Sequence, residues 1–270
     1  MSGFSVDWLS LREPVDHRSR DAGLLARLGQ WAATRRGLTV LDLGSGTGSN
    51  ARAMIPHLPG QQHWWLVDYD GDLLAAGHEK LAAFLGGEHV SRALSVSTQE
   101  ADLSLGIAPL LGARDCDLVT ASALFDLVSM PWLDGMVAAL AARRLPLYTV
   151  LIYDGVMDWV PEHPLDAAIR GAFNAHQQRD KGFGPAAGPH AGVYLAARLT
   201  EAGYDVTAGA SPWVLGPEDE ALMLANLEGI AVAADETGLF GRGELANWLA
   251  FRRKSGRCTV GHVDLLALPK

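Results

Sequence analysis

The chain has 270 residues, 49% of them hydrophobic and 20% charged, so one large domain with a sizeable core, or one with an inserted cap, is expected. A formal net charge of -9 repels a phosphate backbone, and no basic run exceeds "FRRKSGR" at 251–257, so nucleic acid is not an expected partner. The opening "MSGFSVDWLSLREPVDHRSR" has no basic stretch followed by an apolar one, and no apolar run approaches membrane-spanning length; a cytoplasmic protein with no membrane partner is the expectation.

Five short apolar runs alternate with helix-like segments over the first 155 residues. They are "LTVLDL" (38–43), "HWWLVDYD" (63–70), "HVSRALSVST" (89–98), "CDLVTAS" (116–122) and "PLYTVLIYD" (146–154). Continuous runs such as Thr149, Val150, Leu151 and Ile152 suit strands buried on both faces. Between them, "DGDLLAAGHEKLAAFLGG" (70–87) carries Leu73, Leu74, Leu81, Phe84 and Leu85 at helical spacing before closing on glycine. Strand and helix in alternation predict a parallel sheet with right-handed crossovers. Cys116 and Cys258 each precede such a run, which reads as two separate buried thiols, with no disulfide and no metal site.

After residue 155 the rhythm breaks. Prolines, glycines and polar side chains crowd residues 155–190, a segment expected to be irregular and to form a cap over the substrate. A helix (193–203), a strand (204–215), helical stretches (218–238 and 243–256) and a last strand (259–268) follow. No internal repeat or low-complexity linker is present.

The chemistry is concentrated where the first strand becomes a helix, in "TVLDLGSGTGSN" (39–50). Gly44, Gly46 and Gly48 follow an apolar strand, and Asp68 ends the next strand about twenty residues on, where a ribose hydroxyl would sit. The dinucleotide fingerprint G-x-G-x-x-G would put its third glycine at Ser49, which disfavours pyrophosphate.

These residues resemble the first motif of the class I S-adenosylmethionine-dependent methyltransferases, and the resemblance extends over most of the chain, to "GHVDLLAL" as a final antiparallel strand. It implies an α/β, Rossmann-like fold: a seven-stranded, mostly parallel sheet in the order 3-2-1-4-5-7-6, helices on both faces and an inserted cap. The whole of 1–270 would be one such domain, with lid helices in 1–36 and the cap in 155–190. The implied cofactor is S-adenosylmethionine, with S-adenosylhomocysteine as product. Asp42 and Gly44, Ser45 and Gly46 would face its methionine part, Asp68 its ribose hydroxyls and Tyr69 its adenine. Asp102 would take the adenine amino group, with the Leu103 amide near the ring, while Ala121 and Ser122 would lie beside the methionine. Arg12 and Arg20 are candidates for its carboxylate.

A hydroxyl acceptor needs its proton removed, so a carboxylate or histidine near the strand ends is sought. Asp126 follows the fourth strand, Asp154 closes the fifth, and His163 and His176 lie in the cap; Asp126, Asp154 and His176 are the catalytic candidates. Each has a structural alternative, Asp126 as a helix cap, Asp154 in a turn and His176 on a solvated helix. "TASALFD" stands where base-methylating enzymes carry an Asn or Asp followed by two prolines and an aromatic, and Ala121 and Ser122 stand where catechol-type enzymes hold metal carboxylates. The expectation is therefore O- or N-methylation of a small organic acceptor, without metal, by a monomer or homodimer. A cofactor-binding subunit or sensor without catalysis, and a nicotinamide oxidoreductase, are the rival readings.

Overall fold

The computed structural model describes residues 4–86, 94–254 and 256–270. Two helices, α1 (Val6–Ser19) and α2 (Ala22–Ala32), precede strand β1 (Gly37–Leu43), helix α3 (Ser49–Met54), β2 (Gln61–Asp68), α4 (Gly71–Leu85), β3 (Leu94–Glu100), α5 (Ala108–Ala113), β4 (Leu118–Ser122), α6 (Met130–Arg143) and β5 (Leu147–Val160). The chain continues through α7 (Asp166–Gln177), α8 (Ala191–Glu201), β6 (Tyr204–Ala210), β7 (Trp213–Leu215), α9 (Glu220–Asp235), α10 (Arg242–Arg252) and β8 (Arg257–Pro269). The helix starts obey local chemistry: Ser5, Asp21, Asp70 and Ser129 each accept a backbone N–H of the first turn of α1, α2, α4 and α6.

The sheet runs β3-β2-β1-β4-β5-β8-β6, which is the expected order with β8 as the antiparallel strand. Each apolar strand feeds two cores because successive side chains point to opposite faces. Val40, Trp64, Leu66, Leu118 and Val150 join one cluster, while Leu41, Leu43, Trp65, Val67 and Val119 join the other. An open parallel sheet places ligands beyond the carboxyl ends of its strands, so the ends of β1, β2 and β4 are where a site belongs.

The structure departs from the sequence reading in three elements. The expected strand 204–215 is two strands, β6 and the short β7, both paired with β8, so the sheet has an eighth strand. The expected cap is regular over half its length: β5 runs on to Val160, and α7 follows with Ile169 and Ala172 buried. The third strand begins at Leu94; the part of the expected run at 89–93 lies outside the described residues.

β5 survives its length by changing register. Its pairing with β8 slips between Thr149 and Ile152 and again between Tyr153 and Met157. At the first slip Leu151 takes φ +59, a conformation costly for a branched side chain, and its N–H donates to the buried Asp264 carboxylate at 2.8 Å. The other Asp264 oxygen accepts the Asp21 N–H at 2.9 Å, which ties the start of α2 to the middle of β8.

Candidate functional site

The turn after β1 is built from three glycines with φ of +59, +50 and +73 at Gly44, Gly46 and Gly48, the left-handed region that other residues enter at a cost. Neighbours press on it from both sides. A Cβ at Gly46 would sit 3.0 Å from Leu9 of α1, and a Cβ on Gly77 of α4 would sit 2.9 Å from the Thr47 backbone. Ser45 N–H donates to the Val67 carbonyl at 3.0 Å, and Ala101 N–H to the Asp68 carbonyl at 2.8 Å, so the ends of β1, β2 and β3 are laced together.

Asp68 stands at the centre of that lacing. Its Oδ2 accepts the Gly46 N–H at 2.8 Å and its Oδ1 accepts the Asp70 N–H at 3.1 Å. Burial pushes its pKa up, against the pull of those backbone donors. Each oxygen holds one protein donor and keeps capacity for another.

Around Asp68 opens a cavity of about 710 Å³. It is lined by the glycine turn, by Asp68 and Tyr69, by Asp102 and Leu103, by Ser122 to Leu124 after β4, by Leu9, Arg12 and Asp16 of α1, and by Asp180 to Phe183 after α7. Its volume falls in the range of sites for cofactors and drug-sized ligands. Tyr69 is 43% exposed at its rim, and Leu103 is buried, its carbonyl accepting the Trp132 Nε1–H at 2.6 Å. Asp102 uses Oδ1 to accept the Ser104 N–H at 2.8 Å, as a cap, while still lining the cavity.

The structure thus gathers Gly44, Ser45, Gly46, Asp68, Tyr69, Asp102 and Leu103 around one space. Asp42 and Ala121 are not there. Ala121 is fully buried in the sheet between Leu43 and Thr149 because strand alternation turns it into the core, and Ser122 and Ala123 take the place at the cavity. Asp42 is fully buried one layer beneath the turn, where Asn50 Nδ2 donates to it at 2.7 Å and Arg20 donates to Asn50 Oδ1 at 2.8 Å. Burial raises the Asp42 pKa to about 7, against the Asn50 hydrogen bond and the Arg20 charge. Arg20 is engaged in this layer; Arg12 reaches the cavity, paired with Asp16 at 2.8 Å.

The catalytic candidates scatter. Asp126 lines a second, smaller cavity of about 160 Å³ beside the first. Asp154 is exposed and closes a turn, accepting the Val156 N–H at 2.9 Å. His176 faces α9, with Nε2 2.8 Å from Glu236 Oε2, and lines neither cavity. His163 sits at the start of α7, its backbone N–H bonded to Asp166, and lines neither cavity as well. Sequence reasoning missed Asp16, Lys181 and Phe183 at the large cavity and Asn226, Trp213 and His262 at the small one. Only the packing of α1, the loop after α7, β7, α9 and β8 against the strand ends brings them in.

Compared by sequence, the chain matches no family model and no curated protein. Solved structures do match. The cyclopropane-fatty-acyl-phospholipid synthase-like protein from Lactobacillus casei is 13% identical with a TM-score of 0.50, over 97% of this chain and 94% of that one. The cyclopropane synthase MmaA2 from Mycobacterium tuberculosis is 12% identical with a TM-score of 0.50, over 97% and 94%. The YcgJ protein from Bacillus subtilis is 12% identical with a TM-score of 0.50, over 93% and 99%. At such identities the likeness shows the fold alone: a Rossmann-like α/β sheet, mostly parallel, with one strand running antiparallel and helices around it.

Proposed function

We propose that this chain is an S-adenosylmethionine-dependent methyltransferase that methylates an oxygen or nitrogen of a small organic molecule. The observation that carries the reading is Asp68, a buried carboxylate whose two oxygens each hold one backbone donor and face a large cavity at the end of β2. A pair of ribose hydroxyls meets that capacity. The rest of the cavity suits the remainder of the molecule. The Gly44 to Gly46 backbone allows close approach by the methionine part, and Ser45 Oγ, buried without a hydrogen bond, is a further polar contact. Arg12 offers a cation for its carboxylate, and Tyr69, Leu103 and Asp102 border the place for adenine.

Bound, the cofactor supplies an electrophilic methyl group and a neutral thioether leaving group. The protein is left with orientation and the exclusion of water. Helix α1 serves the exclusion of water. Its Leu9 covers Gly46, while Glu13 pairs with Arg52 at 2.7 Å and Arg52 donates to the Thr47 carbonyl at 2.7 Å, fastening the lid to the turn beneath it.

Calorimetry with S-adenosylmethionine, S-adenosylhomocysteine and NAD tests the reading. The first two are expected to bind and NAD is not. Asp68→Ala should weaken S-adenosylhomocysteine by about 1.5 kcal/mol or more, the scale of hydrogen bonds to a charged group, with circular dichroism unchanged. Tight NAD binding, or a folded Asp68→Ala variant of normal affinity, would sink the assignment. Transfer of labelled methyl into a metabolite extract separates an enzyme from a sensor.

A further inference from the structure

The small cavity adjoins the large one. It shares Phe4, Arg12, Ala123, Leu127 and Gln177 with the large one. At about 160 Å³ it matches a space for a single six-membered ring, since an apolar cavity of about 150 Å³ takes one benzene.

Its walls are aromatic and incompletely satisfied. Trp213, His262, Tyr153 and Phe173 follow one another with ring centroids 5.2, 6.2 and 5.7 Å apart, tilted or edge-on, a surface that offers faces and edges to another ring. Four polar side-chain atoms of this lining are sealed from water and unpaired, Asp126 Oδ1, Asn226 Nδ2, Trp8 Nε1 and His262 Nδ1, while the Asp126 carboxylate also takes backbone donors from Asp126 and Tyr153 and the His262 ring bonds the Val260 backbone. Buried polar atoms in folded proteins are nearly always paired, so four orphans around one space point to a ligand that pairs them. Asn226 and Trp8 present donors, and Asp126 presents an acceptor.

We propose that this chamber is the acceptor site and that it takes a neutral, single-ring hydroxyaromatic molecule whose hydroxyl donates to Asp126 and whose ring is held by the Trp213 to Phe173 wall. The inference rests on the methyltransferase reading. On methylation the hydroxyl oxygen forms the new bond to carbon, the carbon–sulfur bond breaks with its electron pair kept by sulfur, and the hydroxyl proton passes to the Asp126 carboxylate. Burial raises the Asp126 pKa to about 6, against backbone hydrogen bonds from Asp126 and Tyr153 and the Arg12 charge, so the group is ionised at neutral pH and suited to receive a proton. A cationic acceptor would compete with Arg12, which is paired with Asp16 and already stands over the Trp213 ring, 4.9 Å from its centre.

Calorimetry on the S-adenosylhomocysteine-saturated protein, with phenol, cyclohexanol and tetramethylammonium as probes, decides it. Phenol is expected to bind at least tenfold more tightly than either of the others. Asp126→Asn should remove most of that preference, and Val260→Phe, which fills the chamber from β8, should abolish phenol binding; both should keep S-adenosylhomocysteine within about twofold. Equal binding of the three probes, preference for the cation, or phenol affinity indifferent to both variants overturns the proposal. If S-adenosylhomocysteine binds and phenol does not, only this inference falls. If S-adenosylhomocysteine itself fails to bind, the methyltransferase reading falls with it.

Discussion

Asp42 and Asp68 are buried carboxylates near the ends of consecutive strands, and only Asp68 opens onto the cavity, a difference that sets what each can do. Asp68 faces the cavity, whereas Asp42 is 0% exposed, keeps one bond from Asn50 and leaves Oδ2 without a partner. Burial lifts the folded-state pKa of Asp42 to about 7, from an unfolded value near ~4. The native protein therefore holds a proton that the unfolded chain releases over that interval. The stabilisation is complete below about pH 4 and is lost as pH rises towards about 7. Asp42→Asn keeps the oxygen that accepts from Asn50 and removes the charge. Urea unfolding should show this variant level with the parent at pH 4 and more stable than it at pH 8 by roughly 1–3 kcal/mol. A difference that does not change with pH would place the ionisation elsewhere. For Asp68 the consequence falls on ligand: in the proposed site its ionised form would accept the two ribose hydroxyls, so affinity for S-adenosylhomocysteine should decline on the acid side as its raised pKa is crossed.

At the scale of elements, the glycine turn is held in shape by the helices that pack on it. α4 approaches so closely that Gly77 leaves no room for a methyl group against the Thr47 backbone. Gly77→Ala must push the helix off the turn, and overpacking of this kind costs about 1–3 kcal/mol. S-adenosylhomocysteine affinity should fall several-fold with it, since the turn and Asp68 are bonded together. Gly171→Ala is the control: it lies exposed in α7 with open space around its Cβ position, and the change should be neutral or stabilising by up to about 1 kcal/mol. If both variants behave alike in calorimetry and unfolding, the close contact of α4 is not what supports the turn. The same scale explains why the segment expected to be irregular is regular over half its length. Residues 155–190 carry enough glycine and proline to read as irregular, yet Ile169, Ala172 and Phe173 share a face, and α9 packs against that face to make α7 a helix. His176 then points along the junction with α9 and is taken up by Glu236.

For the whole molecule, binding at the cleft should appear as stability. The cavity is walled by elements far apart in the chain, α1 at residues 6–19 and the loop after α7 at 178–187, so a ligand there fastens parts that separate on unfolding. Ligand at a hundredfold excess over its dissociation constant adds about 2.7 kcal/mol. For a domain of this size that corresponds to a rise of roughly 5–10 °C in melting temperature. Differential scanning calorimetry should show that rise with S-adenosylhomocysteine and none with NAD; the reverse pattern would contradict the site. Among the described residues, no helix is long and apolar enough to cross a membrane.

The alternation of strand and helix and the glycine turn with its facing Asp68 were legible from sequence, because both are local in origin, whereas the sheet order was implied only by the family resemblance. Apolar runs buried on two faces declare parallel strands, and a glycine turn between strand and helix has few uses. Asp102, Leu103 and Tyr69 were named from the resemblance, and the structure sets them beside the ends of β2 and β3, around the same cavity. The depth of a residue was not legible. Asp42 and Ala121 stand in motifs yet are turned inward, since one step along a strand reverses the face a side chain meets. Nor was the small cavity. Trp8, Asp126, Asn226 and His262 are more than a hundred positions apart at their extremes and carry no shared pattern. They meet because Leu151 shifts the register of β5, β8 returns antiparallel beside it, and α1 and α9 close over the result. Periodicity and spacing report which face a residue has within its own element; which other elements that face will meet is settled by packing, and packing brought those four side chains to one wall.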